Sequence, residues 1–299
     1  ELAQLGHQVV YRRLQSGLHH AGWADEQMNG VEYLFHIREL TERIEKNWPD
    51  VLQTLETIRH SLIHRKGMIC NVTMDGEQWL MVKPALEAFL AVLPSGKITL
   101  HEWAPALSTD NEGLTIPVKV KYVGKAADTF RHGYKLHGSY PVIAGYLKTT
   151  WLWDMVRLQG GAYDVFSLLD NLSGVFAFLS YRDPNILKTL SIFDGSGDFL
   201  RTLQLSDQEL TKSIIGAIGR LDQYLLPDAK GFTSLKRYLS GVTDEYRQQI
   251  RDEVLATTAR DFASFGEVLD SVARTGRVVV LGSENAIKET NAKMGKDWL

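Results

Sequence analysis

The sequence predicts an α+β fold: two related sandwich-like α/β domains, each a mixed sheet with helices packed on one face, the first domain incomplete. Three observations predict it. Helical periodicity fills the first 65 residues, strand-like alternation and a hairpin occupy the middle, and a helix–strand–helix pattern recurs near both ends. Helices and strands mixed in this way must bury their apolar faces against each other in layers.

The elements follow in order. Val9, Val10, Leu14 and Leu18 fall at helical spacing, as do Val31, Leu34, Leu40 and Ile44, then Val51, Leu55, Ile58 and Leu62. Pro49, in "WPD", suits an early helix turn, where the missing N–H has no intrahelical partner anyway. The apolar run "MICNV" at 68–72 reads as a short strand, with Cys70 expected to be a buried, inert thiol. "DGEQWLMVKPALEAFLAVLP" reads as a turn and a helix. Residues 93–113, with Pro94, Gly96, Pro105 and Gly113, carry the linker signals. "LTIPVKVKYV" alternates apolar and polar residues like one half-buried strand, and Pro117 places it on an edge. A helix rich in aromatics is expected over 139–158. The strands "AYDVFSLL" and "GVFAFLSY", joined by "DNLSG", form a hairpin. Helices dominate from Pro184, and "RVVVLG" gives a last strand before a last helix from about Glu284.

The two ends resemble each other. Gly22 to Gly67 spans 45 positions, and so does Gly231 to Gly276. The helix before each terminal strand matches at an offset of 210: Leu52 with Phe262, Leu55 with Phe265, Ile58 with Val268, Leu62 with Val272. A repeat of this size predicts two related domains, the first without its N-terminal half.

Composition excludes several classes. The 33 basic and 36 acidic side chains give a net charge of −3, which argues against the basic stripe of a nucleic-acid binder. A single cysteine forms no intrachain disulfide and suits a reducing compartment. No apolar run is long enough to span a membrane. The chain begins at Glu1 inside a helical pattern, and is expected to be a piece of a longer protein.

Catalytic motifs are sparse. Neither H-E-x-x-H nor H-x-x-E-H occurs, and G-x-S-x-G is missing. His60 and His64 stand four apart on a helix, but "HSLIH" has no acidic residue between them, which leaves an independent zinc hydrolase as a disfavoured alternative. His36 with Glu39, His19 with His20, and His132 with His137 are incomplete ligand sets. "SIFDGSGDF" has too few acidic residues for an EF-hand. One stretch keeps two readings open. In "RLQGGAY", 157–163, the glycines follow a helix and precede a strand, the wrong order for a phosphate loop and the right one for a helix C-cap. Arg157 is then either a helix-end cation or a ligand-binding fork of donors. Tyr163 is either a core aromatic or a phenol able to donate to an oxyanion.

The run "HGSYPVIAGYLKTTWLWDMVRLQGGAYDVFSLLDNLSGVFAFLSYRDPN" resembles the C-terminal half of the pitrilysin/insulinase clan of zinc metallopeptidases, in particular the presequence-protease and falcilysin subfamily. The resemblance is strongest over 130–200 and extends more weakly through "TDEYRQQIRDEVLATTARDF", "RVVVLGSENAI" and the first hundred residues. It implies four related domains in two halves that close around a chamber. Residues 1–95 would be the end of the third domain, 96–106 a linker, and 107–299 the fourth domain. It also implies a peptide-degrading zinc metalloendopeptidase whose zinc sits in the other half, on an inverted H-x-x-E-H motif that this chain lacks. Alone, the chain is expected to be inactive and to hold no cofactor. Its implied partners are the N-terminal catalytic half and unstructured peptides, with no nucleic acid and no membrane. The implied compartment is cytoplasmic in a bacterium, or an organelle matrix or stroma in a eukaryote, and the protein would not be secreted. Residue by residue, the resemblance assigns Arg157 and Tyr163 to substrate binding and transition-state stabilisation, and Gly160 and Gly161 to a loop that a peptide backbone can approach. Asp164 stands where the family usually has glycine. The alternative is a non-catalytic subunit, or a peptide-binding interaction module, of the same fold.

Overall fold

The computed structural model describes residues 4–96, 102–295 and 298–299. Of the expected linker 96–106, residues 97–101 lie outside the described residues. The helical periodicity of the N-terminal stretch becomes four helices: Gly6–Leu18, His20–Asn29, Val31–Lys46 and Trp48–Leu62, the last with Pro49 in its first turn. A fifth, Gly76–Val92, starts where Asp75 accepts a hydrogen bond from the Gln78 N–H at 2.9 Å, so the cap satisfies one of the orphan donors of the first turn.

The chain forms two compact units. One gathers Glu1–Tyr33, Pro105–Asp222 and Glu245–Leu299, and the other Leu34–Ala104 and Gln223–Asp244. The first unit is built on a five-stranded mixed sheet. Its strands are β1 (Glu112–Thr115), β2 (Tyr122–Asp128), β3 (Asp164–Leu169), β4 (Val175–Tyr181) and β5 (Arg277–Gly282), in the order β1-β5-β2-β4-β3. β1 runs parallel to β5, with Glu112 opposite Val279, and the other pairs are antiparallel.

Successive side chains on a strand point to opposite faces, so each strand feeds two cores. Val123, Phe176, Phe178, Val278 and Val280 pack under the helices Tyr140–Leu147, Leu187–Asp194 and Ala259–Thr275. Tyr122, Ala126, Ala177, Leu179, Val279 and Leu281 pack with Val10, Leu14 and Leu18 of helix Gly6–Leu18. Most helices therefore lie on one face, as the α+β reading expects, and a single helix covers the other. Burial on both sides explains why β4 and β5 read as nearly continuous apolar runs.

Two strand expectations need correction. "LTIPVKVKYV" is not one strand but two pieces, β1 and β2, separated at Pro117. Pro117 has no N–H to continue the ladder. The next N–H, that of Val118, turns back to the Ile116 carbonyl at 2.8 Å. β1 does lie on the edge of the sheet. "MICNV" at 68–72 forms no strand, since no described residue pairs with it. Cys70 is consequently exposed rather than buried. It is expected to react completely with a maleimide in the folded 299-residue chain without denaturant. Labelling that required denaturant would show that this segment is covered.

In the second unit, helix Trp48–Leu62 leaves Leu52, Leu55, Ile58 and Leu62 exposed. Their partners at the 210 offset behave differently: Phe262, Phe265 and Val272 are buried against the sheet, with Val268 packed beside them. The two ends share helix–extended–helix order, but only the second copy has its strand. Among the described residues, no helix is long and apolar enough to cross a membrane.

Candidate functional site

The site grows from an irregular helix end. The predicted helix over 139–158 begins as an α-helix, Tyr140–Leu147, and continues as a π-helix, Lys148–Leu158. π-Helical segments are rare and often accompany functional sites. The wider turn carries through to the cap. Gly161 N–H donates to the Arg157 carbonyl at 2.9 Å, and Ala162 N–H donates to the Val156 carbonyl at 3.1 Å. These bonds reach back four and six residues, each one further than in a Schellman motif.

Both glycines have a reason within the chain. Gly161 adopts a left-handed conformation, φ +82°, which L side chains rarely adopt. At Gly160, a Cβ would stand 2.3 Å from the Val156 carbonyl oxygen, a backbone atom with little room to move. The helix-cap reading of the glycines therefore holds. Gly160 is buried and Gly161 is exposed.

A second segment braces this loop. "SYRDPN", 180–185, leaves β4 and turns at Arg182, which has φ 49°. The Asn185 side-chain amide donates to the Gly160 carbonyl at 2.6 Å, and Lys188 Nζ donates to the Gln159 carbonyl at 3.2 Å. Tyr163 N–H donates to the Tyr181 carbonyl at 2.9 Å and starts the β3–β4 pairing. Asp183 anchors the brace from inside. Its carboxylate is fully buried and accepts from the Thr189 hydroxyl and the Asn185 N–H, both at 2.7 Å. Burial pushes its pKa up, against the pull of those hydrogen bonds.

The structure brings Arg157 and Tyr163 together on this braced loop. Tyr163 is 63% exposed, so it is not a core aromatic. Its ring meets Tyr181 edge-on at 5.6 Å. The Arg157 guanidinium lies over two rings, 3.9 Å from the centre of Trp153 and 5.9 Å from that of Tyr163. Tyr181 also meets His7 edge-on at 4.9 Å, and His7 stacks on Phe166 at 5.4 Å. Burial lowers the His7 pKa, opposed by the charge of Asp164. The motif reading missed Trp153 and His7. Trp153 stands four residues before Arg157, the spacing of neighbours on a helix, so it was open to detection. His7 offered no such signal, because it arrives from the far end of the sequence.

The histidine sets do not make a metal centre. Among the described residues, no three His, Cys, Asp or Glu side chains group as metal ligands. His64 Nδ1 instead accepts from the Gly67 N–H at 3.2 Å. The described residues therefore do not fit a zinc ion.

Comparison with known proteins bears on this geometry. Residues 111–284 match the family model described as PreP C-terminal domain, which spans β1 to the start of the last helix and includes the whole braced loop. Presequence protease 1, chloroplastic/mitochondrial, of Arabidopsis thaliana is 46% identical over 96% of this chain. Protein HypA of Clostridium perfringens is 28% identical over 95% of it, and the mitochondrial presequence protease of Aspergillus oryzae 28% over 99%. The chain spans 27%, 29% and 28% of the lengths of these three relatives, under a third in each case.

Proposed function

This chain belongs to the PreP C-terminal domain family, and on that premise we propose that it is the C-terminal part of a peptide-degrading metalloendopeptidase. In this reading Arg157 and Tyr163 form one side of an active site completed by the rest of the longer protein. The observation that carries it is the pairing of an exposed phenol with a guanidinium that makes no hydrogen bond or ion pair among the described residues, both on a loop braced by a second motif.

The chemistry follows from donor type. A peptide carbonyl under attack gathers negative charge on its oxygen. Donors already fixed in position stabilise that charge without paying for reorganisation during the reaction. The Tyr163 hydroxyl supplies one such donor, and the five N–H groups of Arg157 can hold neighbouring backbone carbonyls of an extended peptide. The left-handed turn at Gly161 presents bare backbone beside them, which lets a peptide lie close. Zinc binding falls to the other half in this reading, in keeping with the lack of a three-residue ligand group among the described residues. Names of the plant and fungal relatives place those proteins in chloroplasts or mitochondria, which supports an organelle matrix or stroma for a eukaryotic protein. A bacterial protein would be cytoplasmic.

The test uses the complete protein that carries this chain and an unstructured, internally quenched peptide. Arg157→Ala and Tyr163→Phe are each expected to lower kcat/KM about a hundredfold, the lower edge of what losing an oxyanion-stabilising donor does. Both variants should keep the wild-type melting temperature. If both stay within about threefold of wild type, a non-catalytic module of the same fold is the better reading.

A further inference from the structure

We propose that Trp153 is a positioning residue for Arg157: its ring holds the guanidinium in place while leaving the hydrogen-bond donors free for a peptide. The inference rests on the reading of Arg157 given above. Its motivation is the 3.9 Å approach of the guanidinium carbon to the Trp153 ring centre. Half-buried arginines are usually fixed by a carboxylate, which engages the fork of N–H donors in paired hydrogen bonds. None does so here: among the described residues the Arg157 side chain makes no hydrogen bond or ion pair, and its guanidinium lies over the rings of Trp153 and Tyr163. An indole ring attracts the cation through its π face and has no acceptor lone pair to occupy those donors. A carboxylate in its place would also cancel the positive charge that a carbonyl oxygen needs to meet.

The backbone places the indole for this task. Trp153 and Arg157 lie one turn apart on the π-helix, and both are half-buried. The neighbouring Trp151 has a different duty. It donates from Nε1 to the Ile192 carbonyl at 3.1 Å and stacks on Phe199 at 5.1 Å, inside the helical layer. The Trp153 indole makes no side-chain hydrogen bond among the described residues, so its contact with Arg157 accounts for a bulky ring left half in solvent.

The experiment is a double-mutant cycle in the complete protein, read as kcat/KM on the same quenched peptide. Trp153→Leu, which keeps apolar bulk and loses the ring, is expected to lower kcat/KM about three- to tenfold, in line with loss of a partly desolvated cation–π contact. Trp153→Phe should recover most of that loss. In the Arg157→Ala background, Trp153→Leu should have no further effect, because the group it positions is gone. Three results would each overturn the proposal: wild-type activity for Trp153→Leu, equal losses for Trp153→Phe and Trp153→Leu, or an undiminished Trp153→Leu effect without Arg157. Should Arg157→Ala itself leave kcat/KM unchanged, the reading of Arg157 fails first and takes the positioning role with it. Should Trp153→Leu not fold, Trp153→His serves in the same cycle, and a loss that persists without Arg157 again overturns the proposal.

Discussion

Replacing Phe176 with alanine is expected to destabilise the first unit by about 3–5 kcal/mol, the range for truncating a buried aromatic. Phe176 is fully buried on β4. Its ring meets Phe178 edge-on at 4.8 Å, and Phe265 and Tyr140 at 5.9 and 6.4 Å. Truncation removes more than transfer free energy. It opens a cavity between sheet and helices, and breaks several edge-to-face contacts worth roughly 0.5–1.5 kcal/mol each. Phe176→Leu keeps part of the volume and should lose about half as much. Urea denaturation reads the difference as a shift of midpoint at constant slope. A loss under about 1 kcal/mol would mean that the helices do not close over this face as described.

Arg13→Met is expected to cost a similar amount, about 3–5 kcal/mol, for an electrostatic reason. Arg13 donates to Glu112 from Nε at 2.8 Å and from Nη2 at 2.9 Å, and from Nη1 to Glu26 at 3.2 Å and Glu32 at 3.0 Å. Hydrogen bonding to Glu112 raises its pKa and keeps the guanidinium charged. Glu26 is 1% exposed, and one of its oxygens already has no hydrogen-bond partner. Its other oxygen accepts from the Val31 N–H at 2.8 Å and so caps the following helix. Without Arg13, that buried carboxylate loses its cation. Breaking such a pair from one side is far more damaging than replacing both members. Arg13→Met with Glu26→Gln should therefore be more stable than Arg13→Met alone, which thermal denaturation of the four-member cycle measures. If the double variant is no better, the loss is one of packing, and the charge argument fails.

What the sequence disclosed depended on the range of the signal. The β3–β4 hairpin was legible because strand patterns and turn residues sit side by side. β5 was legible from its unbroken apolar run. The break at Pro117 was not, because alternation continues on both sides of it while the ladder depends on an N–H that pattern counting ignores. "MICNV" shows the opposite failure: apolar character suggested a strand, but a strand needs a neighbour, and none is present among the described residues. At the site, Arg157, Tyr163 and the glycine cap came from a local motif. The π-helix did not, since its apolar spacing resembles that of an α-helix. Asn185 reaching Gly160 is a contact between segments 25 residues apart, fixed by tertiary packing rather than by either segment alone.

The position of β5 in the sheet has a consequence in time. β1 and β2 are close in sequence, yet they are not bonded to each other, because β5 lies between them. Glu112 must wait for Val279, and Tyr122 for Leu281. During synthesis, β1 to β4 emerge with a gap between β1 and β2 where β5 belongs, and β5 follows only after the other four strands. Such long-range pairing makes folding slow and leaves strand edges open meanwhile. The sheet that carries the Arg157–Tyr163 loop can therefore close only once Arg277–Gly282 has left the ribosome.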